Sequence, residues 1–109
     1  MAISYDVNSI TPYPDGANRQ KTLYVHEEGV KRLSVFWDKR FTSGTITSTW
    51  ATEPTSSDWT VASATATGTS TQAFVTAPSD SEGREVLVKN KVVSSLGETD
   101  AVYFKVVCT

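Results

Sequence analysis

Strict two-residue alternation is the feature that most constrains how this chain folds. Val86, Val88, Asn90 and Val92 share one phase, a turn follows at Leu96-Gly97-Glu98, and Val102, Phe104, Val106 and Cys108 resume the pattern. Period two buries one face of a strand and wets the other. Two long runs of this kind joined by a short Gly-containing turn read as an antiparallel hairpin. Earlier stretches repeat the theme with Leu33, Val35 and Trp37, then Ile46, Ser48 and Trp50. Roughly a quarter of the residues are Ser or Thr, a high share, and Thr suits half-exposed strand positions. No long segment concentrates good helix formers. The chain reads as all-β.

Turn signals divide the chain into expected strands at Lys21–His26, Val30–Asp38, Thr45–Ala51, Asp58–Thr65, Gln72–Thr76, Arg84–Ser95 and Thr99–Cys108. About seven short strands at regular spacing in 109 residues favour one antiparallel β-sandwich over a barrel or propeller. The expected core is Leu33, Val35, Trp37, Ile46, Trp50, Trp59, Val61, Val88, Val92, Val102, Phe104 and Val106. Phe36 falls on the opposite phase and is an exposed aromatic candidate. Asn90 interrupts a Val-rich buried phase, so its amide needs partners. It either bonds to a loop backbone and fixes register, or belongs to a site.

Residues 1–20 behave differently from residues 21–109, which hold the sandwich. Pro12-Tyr13-Pro14-Asp15-Gly16 presets a turn and breaks any regular strand. Before it, Ile3, Tyr5 and Val7 alternate. Two readings stand: a first edge strand on the chain's own sandwich, or an extended N-terminal arm that packs on a neighbouring subunit. The second makes Ile3, Tyr5, Val7 and Tyr13 the subunit contacts.

Reactive chemistry is scarce. A net charge of −2 with mixed signs makes no basic stripe for nucleic acid, and Lys31-Arg32 and Lys39-Arg40 read as solvated strand ends. No run reaches the length of a membrane span. Met1–Asp6 lacks the pattern of a secretory signal, so the chain is expected to stay in the cytoplasm or join a particle there. The single His26 and single Cys108 cannot nucleate a zinc site, and Cys108 reads as a packing residue. Asp80-Ser81-Glu82-Gly83 has too few oxygen ligands for calcium. No nucleophile elbow occurs, and no carboxylate stands out in a buried phase. The expectation is no enzyme, no cofactor and no metal.

The stretch from Trp37-Asp38 to Gly44-Thr45-Ile46-Thr47-Ser48-Thr49-Trp50 resembles the tryptophan-rich first half of small bacteriophage virion proteins called fibre–tail adaptors. Val88-Lys89-Asn90-Lys91-Val92-Val93-Ser94-Ser95-Leu96-Gly97-Glu98-Thr99-Asp100 is similar to that family's second signature, an Asn-centred strand leading through a Gly turn to a final alternating strand. The resemblance covers about Val30 to Cys108. Pro78–Gly83 departs from it, standing where the family commonly carries Gly-Gly. It implies an immunoglobulin-like sandwich in a virion made in the bacterial host cytoplasm. Its role would be an adaptor or connector at the neck, tail or fibre attachment. The partners implied are other virion proteins and copies of itself, with host-surface or fibre contact through loops. A capsid decoration or cement protein is the alternative. A carbohydrate-binding module would need coplanar exposed aromatics, whereas Trp37, Trp50 and Trp59 fall in buried phases.

Ordering an arm costs roughly 1–2 kcal/mol per residue, so it happens where a partner covers the apolar stripe. Deleting the first ten residues is therefore expected to leave a folded domain that no longer assembles. Circular dichroism and particle incorporation read the two properties separately, and unfolding of the truncated chain would favour the edge-strand reading.

Overall fold

The alternating segments do form paired strands. The computed structural model describes residues 8–42, 45–53 and 58–109; Ile3, Tyr5 and Val7 lie outside them. The strands are β1 (Ser9–Ile10), β2 (Gln20–Val25), β3 (Val30–Phe36), β4 (Ile46–Glu53), β5 (Thr60–Thr67), β6 (Ser70–Thr76), β7 (Glu85–Ser94) and β8 (Thr99–Cys108). They build two four-stranded sheets, β1-β3-β6-β5 and β2-β8-β7-β4. The architecture is an all-β sandwich, and among the described residues the only helical turn is a short 3-10 segment at Trp37–Lys39.

The eight strands among the described residues fit the expected sandwich of about seven, but the sheets are mixed rather than purely antiparallel, since β1 pairs with β3 and β2 with β8 in parallel. Parallel neighbours need a long crossover between them. That condition holds for β2 and β8, which lie at opposite ends of the described chain. Residues 8–20 thus contribute to the body, since Ile10 and Pro12 are both buried and Ser34 N–H donates to the Asn8 carbonyl at 3.1 Å.

Local chemistry explains the other shifts. Strand β3 stops at Phe36, one residue before Trp37, because the chain turns inward there to cross between sheets. The Trp37 carbonyl accepts from the Arg40 and Phe41 amides at 3.0 and 2.8 Å, and its indole packs against Phe41 at 5.7 Å. The stretch Ala64–Thr71, read from sequence as a loose turn, is instead most of a hairpin closed by Gly68-Thr69. Gly68 has φ +60°, which a tight hairpin turn demands and glycine supplies at no steric cost. Ser63 also takes a left-handed φ of +57°, at a register shift between Ala62 and Thr65. This bulge throws the rest of β5 out of phase and leaves Ser63 exposed.

Leu33, Val35, Trp37, Trp59, Val88, Val92, Val102, Phe104 and Val106 are buried as expected, joined by Leu23, Val25, Phe41, Val75 and Val86. Ile46, Trp50 and Val61 are only partly buried and pack at the margin of this cluster. They sit on the edge strands β4 and β5, which lack a neighbour on one side.

Asn90 lies fully buried at the centre. Its Oδ1 accepts from Trp37 Nε1 and from Thr71 Oγ1, each at 3.0 Å. Its Nδ2 donates to Ser48 Oγ at 2.9 Å and to the Thr49 carbonyl at 3.1 Å. The indole N–H can only donate, which fixes the amide orientation. All four capacities of the side chain are used, and they tie β7 to β4 in its own sheet and to the Trp37 turn and β6 across the core. The partners come from strands and a turn rather than from the loop backbone expected.

Asn90→Ala is expected to lose about 2–4 kcal/mol in urea unfolding, because it strands an indole N–H and a buried hydroxyl. Trp37→Phe alone should lose about 1–2 kcal/mol. In the double variant one stranded donor no longer exists, so the losses should fall short of their sum by about 1 kcal/mol. Simple additivity would mean that the two side chains do not act together.

Candidate functional site

Tyr13 and Phe36, singled out separately in the sequence, line one groove. It has a volume of about 500 Å³ and is completed by Thr11, Asp38, Lys39, Thr69 and Ser70. Both aromatic rings are exposed. Phe36 reaches it as the outward residue that ends β3, beside Ser70 at the start of β6. Tyr13 reaches it from the Pro12–Pro14 loop, whose Pro12 is anchored in the core. That loop closes on itself: Tyr13 N–H donates to the Ala17 carbonyl and Gly16 N–H to the Tyr13 carbonyl, both at 3.2 Å.

A half-hidden carboxylate holds the loop in place. Asp100 continues inward the phase of Val102 and Phe104, and its side chain is only 17% exposed. Arg19 meets it with two nitrogens at 3.1 and 2.8 Å, and Arg40 Nε donates to Oδ2 at 2.8 Å. The same Arg19 donates to the Tyr13 carbonyl at 2.6 Å and to the Ala17 carbonyl. Arg40 lies over the Phe41 ring at 4.4 Å and near Glu98 at 3.7 Å. The groove loop, the 3-10 turn and β8 are therefore locked through one side chain. Burial would raise the Asp100 carboxyl, but hydrogen bonds from Arg19, the Ala101 amide and Arg40 outweigh it and hold it below its ordinary 3.8.

Sequence reasoning passed over this group. Asp100 sits one period before Val102, which was signal enough to place it in the buried phase. Arg40 was assigned to solvent with Lys39; Lys39 does face the groove, whereas Arg40 turns to Asp100. Ile3, Tyr5 and Val7 fall outside the described residues, so of the expected subunit contacts only Tyr13 is placed. Because Ile10 and Pro12 are core residues, the truncation that isolates the apolar stripe ends at Val7.

The groove offers two ring faces, four hydroxyls, one carboxylate and one ammonium. These groups can stack on apolar or planar side chains and can donate and accept hydrogen bonds. The single cysteine and the single histidine both have neighbours within the fold. Cys108 is buried with Sγ 3.1 Å from Ser81 Oγ, whose hydroxyl donates to the Pro78 carbonyl at 2.6 Å. His26 Nδ1 lies 3.3 Å from the Thr109 carbonyl. Among the described residues no group of three or more His, Cys, Asp or Glu is placed to hold a metal ion, and no helix is long and apolar enough to cross a membrane.

Asp100→Asn is expected to reduce stability by about 1–3 kcal/mol at neutral pH and to speed amide exchange over residues 13–19. The folded carboxyl titrates below its unfolded value, so its contribution is complete above that value and fades as pH falls through the folded one. The gap between wild type and variant should hold from neutral pH to about 5 and close below about 4. A gap that persists unchanged in acid would show that the charge plays no part.

Comparison with models of known protein families finds no match to this chain, and comparison with curated proteins finds none either.

Proposed function

We propose that this chain is a non-enzymatic structural protein of a tailed-phage virion, an immunoglobulin-like adaptor or connector at the neck, tail or fibre attachment. It acts in many copies through protein–protein contacts. The observation that carries this reading is where the two resembling segments meet. Trp37, Ser48 and Thr49 from the first and Asn90 from the second form one hydrogen-bonded cluster. Segments similar to a family in sequence thus cooperate as a single physical unit, the unit that joins the two sheets. The strand orders β1-β3-β6-β5 and β8-β7-β4 support the immunoglobulin-like part of this reading, since the constant-type plan groups its strands in the same way; β2 beside β8 and the two parallel pairings depart from it.

The two outer faces support a role in contacts. Across β7, β8 and β4 the outward positions carry Glu53, Glu85, Lys89, Lys91 and Lys105, with Lys89 3.9 Å from Glu53 and Lys105 3.5 Å from Glu85. Across β3, β6 and β5 the outward positions carry one charge, Arg32, among Thr and Ser residues, Val30, Phe36, Ala62, Gln72 and Phe74. A face so short of charge suits contact with another protein.

Antibodies to the purified protein, gold-labelled on particles from the organism that encodes it, test the reading in electron micrographs. Label at one vertex or along the tail is expected. Label spread over the head would assign the chain to capsid decoration instead, and particles without label would overturn a virion role.

A further inference from the structure

We infer that copies of this chain stack head to tail, the Leu96 turn of one copy entering a groove at the opposite pole of the next. This deepens the reading above, since it names the surfaces through which copies would repeat. Among the described residues the three most exposed large hydrophobic residues are Leu96 at 68%, Tyr24 at 60% and Val30 at 57%. They fall at two places. Leu96 tops the β7–β8 turn, while Tyr24 and Val30 flank a groove of about 320 Å³ with Val25, His26, Gly29 and Lys31.

The register puts these places at opposite ends. Strand β2 runs parallel to β8, with Val25 beside Cys108 and Gln20 beside Tyr103. The β2–β3 turn therefore lies at the far end of β8 from Leu96. A projection and a hollow on opposite poles make a heterologous contact, which closes into a ring or extends as a filament. Two patches sharing one pole would give a closed pair instead.

A lone exposed leucine is ordinary. This one is held rigid. Ser94 Oγ accepts from the Leu96 and Glu98 amides, each at 3.2 Å; Ser94 N–H donates to the Glu98 carbonyl at 2.7 Å and Gly97 N–H to the Ser94 carbonyl at 3.0 Å. Little freedom is left to lose on docking. The groove is equally fixed: a Cβ on Gly29 would meet the His26 carbonyl at 2.8 Å and Val25 Cγ2 at 2.9 Å, so only glycine lets the turn close this tightly. Lys31 lines the groove and is the cation there for Glu98, which follows Leu96 on its turn with Arg40 3.7 Å away; on the groove's own turn Glu27 accepts the Asp80 amide at 3.0 Å and Glu28 is exposed.

The test uses two surface variants, Leu96→Asp and Val30→Asp, each checked for an unchanged thermal midpoint, and sedimentation up to about 1 mM, where a weak contact still shows. Wild type is expected to grow into species larger than dimers. Each variant alone should lose at least about tenfold in affinity. Their equimolar mixture should recover a dimer that grows no further, because the first keeps a working groove and the second a working turn. Wild type that stays monomeric, or a mixture that recovers nothing, overturns the inference. These results stand apart from particle labelling: a virion protein that docks only on other proteins would label yet stay monomeric.

Discussion

The four hydrogen bonds of Asn90 set the terms for the rest of the sandwich. A buried amide is costly unless every donor and acceptor is met, and a half-satisfied network is worse than an apolar core. Here Trp37, Thr71, Ser48 and the Thr49 carbonyl must all arrive together. A one-residue slip of β7 against β4 would carry Asn90 to the outer face and strand the Trp37 indole inside. The amide therefore selects the register of one sheet and the spacing between both. Valines alone would bury comparable area with less discrimination between registers.

Its position also explains why the chain leaves β3 through a turn. For the indole to reach Asn90, Trp37 must point inward while the backbone heads for the other sheet, and the 3-10 segment Trp37–Lys39 does both. Arg40 then emerges beside Asp100, so the core and the polar lock at its rim are set by consecutive parts of one turn. The Tyr13 loop is held from that rim through Arg19. Stability at the centre and shape at the surface are thereby linked through a few residues of chain.

Much of the fold was legible because burial along strands β3, β7 and β8 follows period two, and Val88, Val102 and Phe104 fall where alternation puts them. Alternation names a face but not a neighbour. The parallel partners of β1 and β2 are set by non-local packing that no local pattern carries. Strand β5 was harder still, since Thr, Ala and Ser alternate too weakly in polarity to mark a phase and the Ser63 bulge resets it. Phe36 was visible as an exposed aromatic and Tyr13 as a candidate subunit contact. Their meeting in one groove depends on how the Pro12 loop seats beside β3, which only the assembled structure decides. Asp100 was readable in principle, but its role required two arginines distant in sequence.

The distribution of apolar surface bears on how such a domain could work in numbers. An open patch large enough for a tight dimer would also invite aggregation. Small patches at opposite poles avoid that, because each contact alone is weak and exposes little when unmade. Affinity then comes from repetition, since a copy held at both poles, or within a closed ring, gains from effective concentration without new contacts. The rigid Leu96 turn and the tight Gly29 turn matter in this setting. A weak contact repeated many times needs a constant angle more than it needs strength, because any looseness accumulates from copy to copy and prevents closure.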